Sequence, residues 1–183
     1  MEICPTLQTQ RLILRPFTLE DAPIVQRLAG AYEVAATTLN MPHPYQDGMA
    51  QQWISSQRAK HEKGEVVDFA IVIREGILLC GAIGLGIDKR NNNAELGYWI
   101  GVPYWGQGYC TEAAKAVLSY GFKSLNLHRI HAAHLKCNPA SGRVMQKIGM
   151  SYEGCSREHF CKWGQFHDDL RYGILASELD IKG

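Results

Sequence analysis

The chain has 183 residues, 46% of them hydrophobic, enough for a sizeable buried core without disulfide staples. Nineteen basic residues stand against 18 acidic ones, a formal charge of +1, so the clustered basic excess of a nucleic-acid binder is absent. No apolar run approaches the ~20 residues of a membrane helix, residues 1–5 lack the pattern of a secretory leader, and the six cysteines form no CxxC pair; these features predict one domain over residues 1–183, reduced and cytoplasmic.

Thr9 to Pro16 alternates Leu12 and Leu14 with Arg11, Ile13 and Arg15, which predicts a strand ended by proline. Thr18 with Asp21 three residues on forms a helix start, and Ile24, Val25 and Leu28 follow at helical spacing. The two prolines between Asn40 and Tyr45 predict a loop. Asp47 is the expected cap of a second helix reaching about Lys63, with Trp53, Ile54 and Gln57 turned inward.

After Gly64 the period changes to two. Val66 to Arg74, Ile77 to Leu85 and Ala94 to Ile100 are expected as three antiparallel strands, separated by Gly76 and by the Asn-rich run ending at Asn93. Glu112 to Leu125 carries Ala113, Val117, Leu118 and Phe122 on one helical face. Arg129 to Cys137 is a further strand, Pro139 to Gly149 a short helix, and the remainder two strands joined by a turn at residues 162–165. The predicted fold class is α/β, with helices flanking a central sheet.

The strongest local feature is the turn from Trp105 to Thr111. Gly106 and Gly108 give the backbone the freedom to aim several N–H groups at one anion, and the dipole of the following helix adds a favourable field. Thr111 offers a hydroxyl. The same glycines would also serve an ordinary tight loop. The Gly-Lys-Ser/Thr ending of a Walker A loop is missing, and GxGxxG is not matched.

The wider pattern resembles the GNAT superfamily of N-acetyltransferases, and within it the RimJ/RimL-type ribosomal-protein branch. The resemblance rests on Ala94 to Ile100, the glycine turn, the helix start at Thr111 to Ala114, and Asn138 to Ser141 followed by Gln146 to Gly149. Thr9 to Ala22, Tyr152 to Gly154 and Asp168–Asp169 agree with it, so that it spans about residues 6 to 178. It implies a GNAT fold, a mixed and mostly antiparallel sheet splayed where acetyl-CoA enters as co-substrate. Backbone groups at Trp99 and Ile100 would bind the pantetheine arm. Trp105, Gly106, Gln107, Gly108, Tyr109, Cys110 and Thr111 would hold the pyrophosphate, and Asn138 would fix the arm.

An amine must lose a proton before it can attack a thioester; a free α-amine titrates near ~8, so mild base assistance suffices. Glu95, on the strand beside the expected thioester, is the candidate base, although it is equally read as a surface strand glutamate. Many superfamily members protonate the departing sulfur with a tyrosine seven residues after the strand-end Asn. That position here is Met145, which has no proton to give. Ser141 matches the serine of the RimJ/RimL pattern and is the candidate acid; as a first-turn serine it also suits helix capping. Trp105 and Met150 depart from residues common in the superfamily.

His128, His131 and His134 are expected as ordinary strand or loop residues, with His131 and His134 on opposite faces, and no metal is expected. The resemblance implies acetyl transfer to a primary amine, a protein N-terminal α-amine as in ribosomal proteins. A polyamine or antibiotic acetyltransferase, a non-catalytic acyl-CoA sensor and a plain interaction domain remain alternatives. No nucleic-acid or membrane partner is expected, and the strand edges leave a homodimer open.

Overall fold

The computed structural model describes residues 4–179. Part of the leader reading (residues 1–3) and the last four residues of the predicted domain lie outside the described residues. Strands β1 (Leu7–Gln8), β2 (Leu12–Arg15), β3 (Val66–Ile73), β4 (Leu78–Asp88), β5 (Asn93–Ile100), β6 (Arg129–Leu135), β7 (Ser151–Lys162) and β8 (Gln165–Leu175) form one sheet in the order β1-β2-β3-β4-β5-β6-β8-β7. Every neighbouring pair is antiparallel except β5–β6, which is parallel. This is the mixed α/β sheet that the alternating patterns predict.

Among the described residues five α-helices flank it: α1 (Ala22–Ala29), α2 (Tyr32–Thr37), α3 (Met49–Glu62), α4 (Tyr109–Lys123) and α5 (Pro139–Lys147). One face of the sheet supplies Phe69, Ile71, Ile83, Leu85 and Leu96 to a core closed by Val117, Leu118 and Met145 of α4 and α5. The other supplies Ala70, Val72 and Leu79 to a core closed by Val25 and Leu28 of α1 and Ile54 of α3. Apolar residues on both faces explain why the β3 and β4 stretches read as nearly continuous hydrophobic runs.

Several boundaries moved for identifiable reasons. The expected first strand is interrupted, because Thr9 N–H bonds Leu12 O at 3.0 Å and turns the chain between β1 and β2. Helix α2 is additional to the two helices expected before the meander. Helix α3 is capped by Gly48 at φ 86°, while the Asp47 carboxylate accepts from Gln26 Nε2 at 2.6 Å. Strand β4 continues to Asp88 because Gly86, Ile87 and Asp88 still find partners in Glu95, Ala94 and Asn93. Helix α4 starts three residues before Glu112. Met150 is buried in the core, and no helix among the described residues is long and apolar enough to cross a membrane.

Candidate active site

Strands β5 and β6 pair only at Asn93–Arg129, Ala94–Ile130 and Glu95–His131. Beyond that point β5 stays with β4 as far as Ile100, and β6 stays with β8 as far as Leu135. The sheet therefore splits between them. A cavity of 620 Å³ fills the split, and every residue expected at the site lines it except Gln107.

Two hydrogen bonds fix the phase of β5. Gly101 N–H donates to Cys80 O at 2.8 Å on the β4 side, and Asn92 O accepts from His128 N–H at 2.9 Å on the β6 side. Backbone direction alternates along a strand, so Leu96, Tyr98 and Ile100 turn their peptide groups to the split, whereas Trp99 turns to Ala82 of β4. Of the two positions expected to bind the arm through the backbone, Ile100 faces the split and Trp99 faces β4; Tyr98 also turns its peptide groups to the split. The Ile100 carbonyl is already taken by the Trp105 indole, whose Nε1 donates at 2.6 Å. Trp105 thus fastens the strand end.

The glycine turn has the character of an anion site. Gly106 and Gly108 sit at φ 75° and 80°, which favour glycine strongly. Gly108 caps α4 without a side-chain hydrogen bond, and none of the N–H groups from Gly106 to Thr111 is taken by an acceptor among the described residues. Helix starts leave such donors free, and a phosphate satisfies them. The residues present fit the pyrophosphate of acetyl-CoA on this ground. Gln107 instead builds the turn: its amide donates to Pro103 O at 3.2 Å, and its carbonyl accepts from Arg11 Nη1 at 3.0 Å.

Side chains alternate across β5. Leu96, Tyr98 and Ile100 point towards α4 and α5; Glu95, Gly97 and Trp99 point to the face that carries α1 and α3. The cavity is consequently lined from both faces of the sheet. On the α4–α5 side, Ser141 Oγ lies 2.8 Å from Tyr98 OH. Asn138 caps α5, its Oδ1 accepting from Ser141 N–H at 3.2 Å, while its Nδ2 donates to Thr37 O at 3.0 Å. Asn138 lies three residues beyond β6, and it ties the α5 start to the end of α2.

On the opposite side stand Glu95, which is exposed, the Thr37–Asn40 segment, Phe160 and Asp169. Register places Asp169 opposite Leu135 and Ser156, on the same face as His131 and Glu95. Asp169 is 3% exposed, and among the described residues its carboxylate accepts from Arg171 Nε at Oδ2, 3.0 Å away. In the sequence it appeared only as one of two neighbouring acids within a family pattern. Its burial in the cavity wall depends on the β6–β8 register, which no local signal encodes. His134 falls on the other face of β6, stacked on Tyr172 at 5.8 Å. No group of three or more His, Cys, Asp or Glu that could hold a metal occurs among the described residues.

The Cys110 thiol also lines the cavity. Burial, with Cys80 nearby, pushes it up to about 12, so it remains a thiol at neutral pH and is a poor nucleophile. The cavity is thus lined by a glycine turn with unused N–H donors, by the Tyr98–Ser141 hydroxyl pair, and by two carboxylates on the other face of the sheet.

Residues 11–151 match the family described as the acetyltransferase (GNAT) domain. The uncharacterized N-acetyltransferase p20 of Bacillus licheniformis is 32% identical over 175 residues, covering 94% of this chain and 97% of that protein. The spermidine N(1)-acetyltransferase of Escherichia coli (strain K12) is 33% identical over 92 residues, half of each chain. Among solved structures, an acetyltransferase (GNAT family) from Bacillus anthracis superposes with a TM-score of 0.84 at 28% identity, covering 95% of this chain and all of that one.

Proposed function

Because the chain belongs to the GNAT acetyltransferase family, and is therefore an acetyl-CoA-dependent N-acetyltransferase, we propose that its acceptor is the α-amine of a protein N-terminus and that Glu95 and Ser141 assist the transfer. The observation that carries this reading is the split between β5 and β6, which leaves one cavity lined by side chains of both faces of the sheet. Acetyl-CoA enters over the glycine turn on the α4 side, and the amine enters from the face bearing Glu95 and Asp169.

The N–H groups of the turn and the α4 dipole bind the pyrophosphate. Backbone N–H groups at Tyr98 and Ile100 hold the arm and polarise the thioester carbonyl, a preorganised donor set at the point where negative charge develops. Glu95 takes the ammonium proton, directly or through water. The amine nitrogen then forms its bond to the acetyl carbon, the carbon–sulfur bond breaks, and Ser141 gives its hydroxyl proton to the thiolate. The high Cys110 thiol argues for direct attack rather than an acetyl-cysteine intermediate. An α-amine, titrating near ~8, demands only the weak base that a carboxylate provides.

The serine at position 141 is the RimJ/RimL-type feature that favours a protein N-terminus. The similarity to a spermidine acetyltransferase, together with two carboxylates on the acceptor face, favours a polyamine as the second reading. Steady-state turnover of acetyl-CoA with peptides beginning in Ala or Ser, against spermidine, separates them. Peptide turnover that disappears when the α-amine is blocked supports the first reading; spermidine outperforming every peptide overturns it.

A further inference from the structure

Among the described residues, the hydrogen-bond partners of the Tyr98 phenol both belong to Ser141. Its oxygen lies 2.8 Å from Ser141 Oγ, where either hydroxyl can donate, and 3.1 Å from Ser141 O, and its single proton serves one of the two at a time. Tyr98 stands on β5 and Ser141 in the first turn of α5, 43 residues apart in the chain, and both line the cavity. A half-buried phenol is costly unless its hydroxyl is satisfied, and Ser141 is what satisfies it. Ser141 is held at both ends, by Asn138 at its N–H and by Tyr98 at its hydroxyl.

Met145 is 1% exposed and packed in the core. No phenol therefore comes from the position seven residues after Asn138. One comes from β5 instead. We propose that Tyr98 is the positioning residue for Ser141, orienting its hydroxyl towards the departing sulfur and refilling it with a proton as that sulfur leaves.

The carbon–sulfur bond breaks and its electron pair stays on sulfur. Ser141 Oγ–H passes its proton to that sulfur, and Tyr98 O–H passes its own to Ser141 Oγ. Solvent restores the phenol after the thiol departs, and the proton lost by the amine balances the exchange. The relay avoids a lone serine alkoxide, which is a far stronger base than a phenolate. Burial, with the Cys110 thiol nearby, raises the phenol above its ordinary range, so Tyr98 keeps its proton across neutral pH until the sulfur leaves.

This inference rests on the reading of Ser141 as the acid, and the test separates the two. Single-turnover transfer from acetyl-CoA is measured for the full chain, for Ser141→Ala, for Tyr98→Phe and for the double variant, with an Ala-initiated peptide and with spermidine as acceptors. The leaving thiolate is the same for either amine. Tyr98→Phe is expected to slow transfer by about ten-fold or more, within the usual range for acid–base assistance, with the KM for acetyl-CoA changed by less than about two-fold. The double variant should be no slower than Ser141→Ala, because the two residues act as one unit. In mixtures of H2O and D2O, the parent rate should curve with deuterium content, as for two protons in flight, and that of Tyr98→Phe should fall linearly. Parent-like rates in Tyr98→Phe, or losses that multiply in the double variant, overturn the role of Tyr98 while leaving Ser141 in place. A parent-like rate in Ser141→Ala removes the acid reading itself.

Discussion

Arg11 and Glu112 lie 101 residues apart in the chain and meet at 2.7 Å, Arg11 Nε donating to Glu112 Oε2. The same carboxylate accepts from Thr9 Oγ1 at 2.6 Å and from Arg11 N–H at 2.8 Å. The guanidinium also reaches Gln107 O and lies 4.8 Å from the Tyr109 ring. One acidic residue in the first turn of α4 therefore joins the β1–β2 turn to the glycine turn.

Glu112→Gln should destabilise the fold by about 1–3 kcal/mol, the range for hydrogen bonds to a charged group that lose one partner. Burial raises the Glu112 carboxyl, but the bonds from Thr9 and Arg11 outweigh it and hold the group below its ordinary value. A depressed folded-state pKa contributes stability that is complete above the unfolded value of about 4.3 and is lost as pH falls through the folded one. Urea midpoints for parent and variant should therefore differ most at neutral pH and converge in acid. A constant difference down to the lowest pH at which both fold would refute the linkage.

Gly108 tests the turn itself. A non-glycine residue at φ 80° costs about 1–2 kcal/mol, and Asp would add a charge facing the phosphates. Calorimetry should show Gly108→Asp binding acetyl-CoA at least about ten-fold more weakly, equivalent to 1.4 kcal/mol. Asn tolerates left-handed backbone and carries no charge, so Gly108→Asn should lose less. Equal affinity in parent and Gly108→Asp would remove the phosphate role from this turn.

The site was legible to the extent that it is local. The glycines, the helix start at Thr111 and the Asn138–Ser141 pair are contiguous in the chain, and turn chemistry marks them without tertiary information. Tyr98 and Asp169 were not singled out. Tyr98 reads as one more aromatic in an alternating strand, and its partner is set by how α5 docks after β6. Asp169 acquires its place from a register between β6 and β8, 34 residues apart along the pairing of Leu135 with Asp169. The direction of the Trp99 peptide groups, towards β4, was hidden for a similar reason, since backbone direction depends on which strand edge opens. Helix α2 went unread because Tyr32–Thr37 is only six residues long, too short to show a helical period.

That helix suggests a third measurement. Lys162, at the tip of the β7–β8 hairpin, is 7% exposed and donates through Nζ to Ala35 O and Thr38 O. It satisfies carbonyls at the end of α2 and holds the Thr37–Asn40 wall of the cavity against the hairpin. Lys162→Met keeps the stem but removes the lysine from Thr38 O, while Ala35 O keeps Thr38 N–H at 3.3 Å. Expected results are a loss of about 1–3 kcal/mol in stability and a higher KM for the amine, with acetyl-CoA affinity unchanged. A variant with parent KM for both substrates would show that the wall holds without the lysine.

Asp169 offers the sharpest separation between the two faces of the cavity. Its partner Arg171 has a side chain 51% exposed, so water can take over the guanidinium when the carboxylate is neutralised, and an ion pair of this kind adds at most about 1 kcal/mol. Stability should change little in Asp169→Asn. The buried carboxylate nevertheless faces a cavity that an ammonium must enter, and a charge-assisted hydrogen bond there contributes about 1.5–3 kcal/mol. The KM for the amine should accordingly rise by about ten-fold or more. Acetyl-CoA, which in the proposed arrangement enters from the other face of the sheet, should keep its affinity. Inhibition by high salt should also weaken in the variant, since a screened ammonium–carboxylate attraction would no longer contribute. A rise in the KM for acetyl-CoA with the amine KM unmoved would place Asp169 on the donor side and reverse the assignment of the two faces.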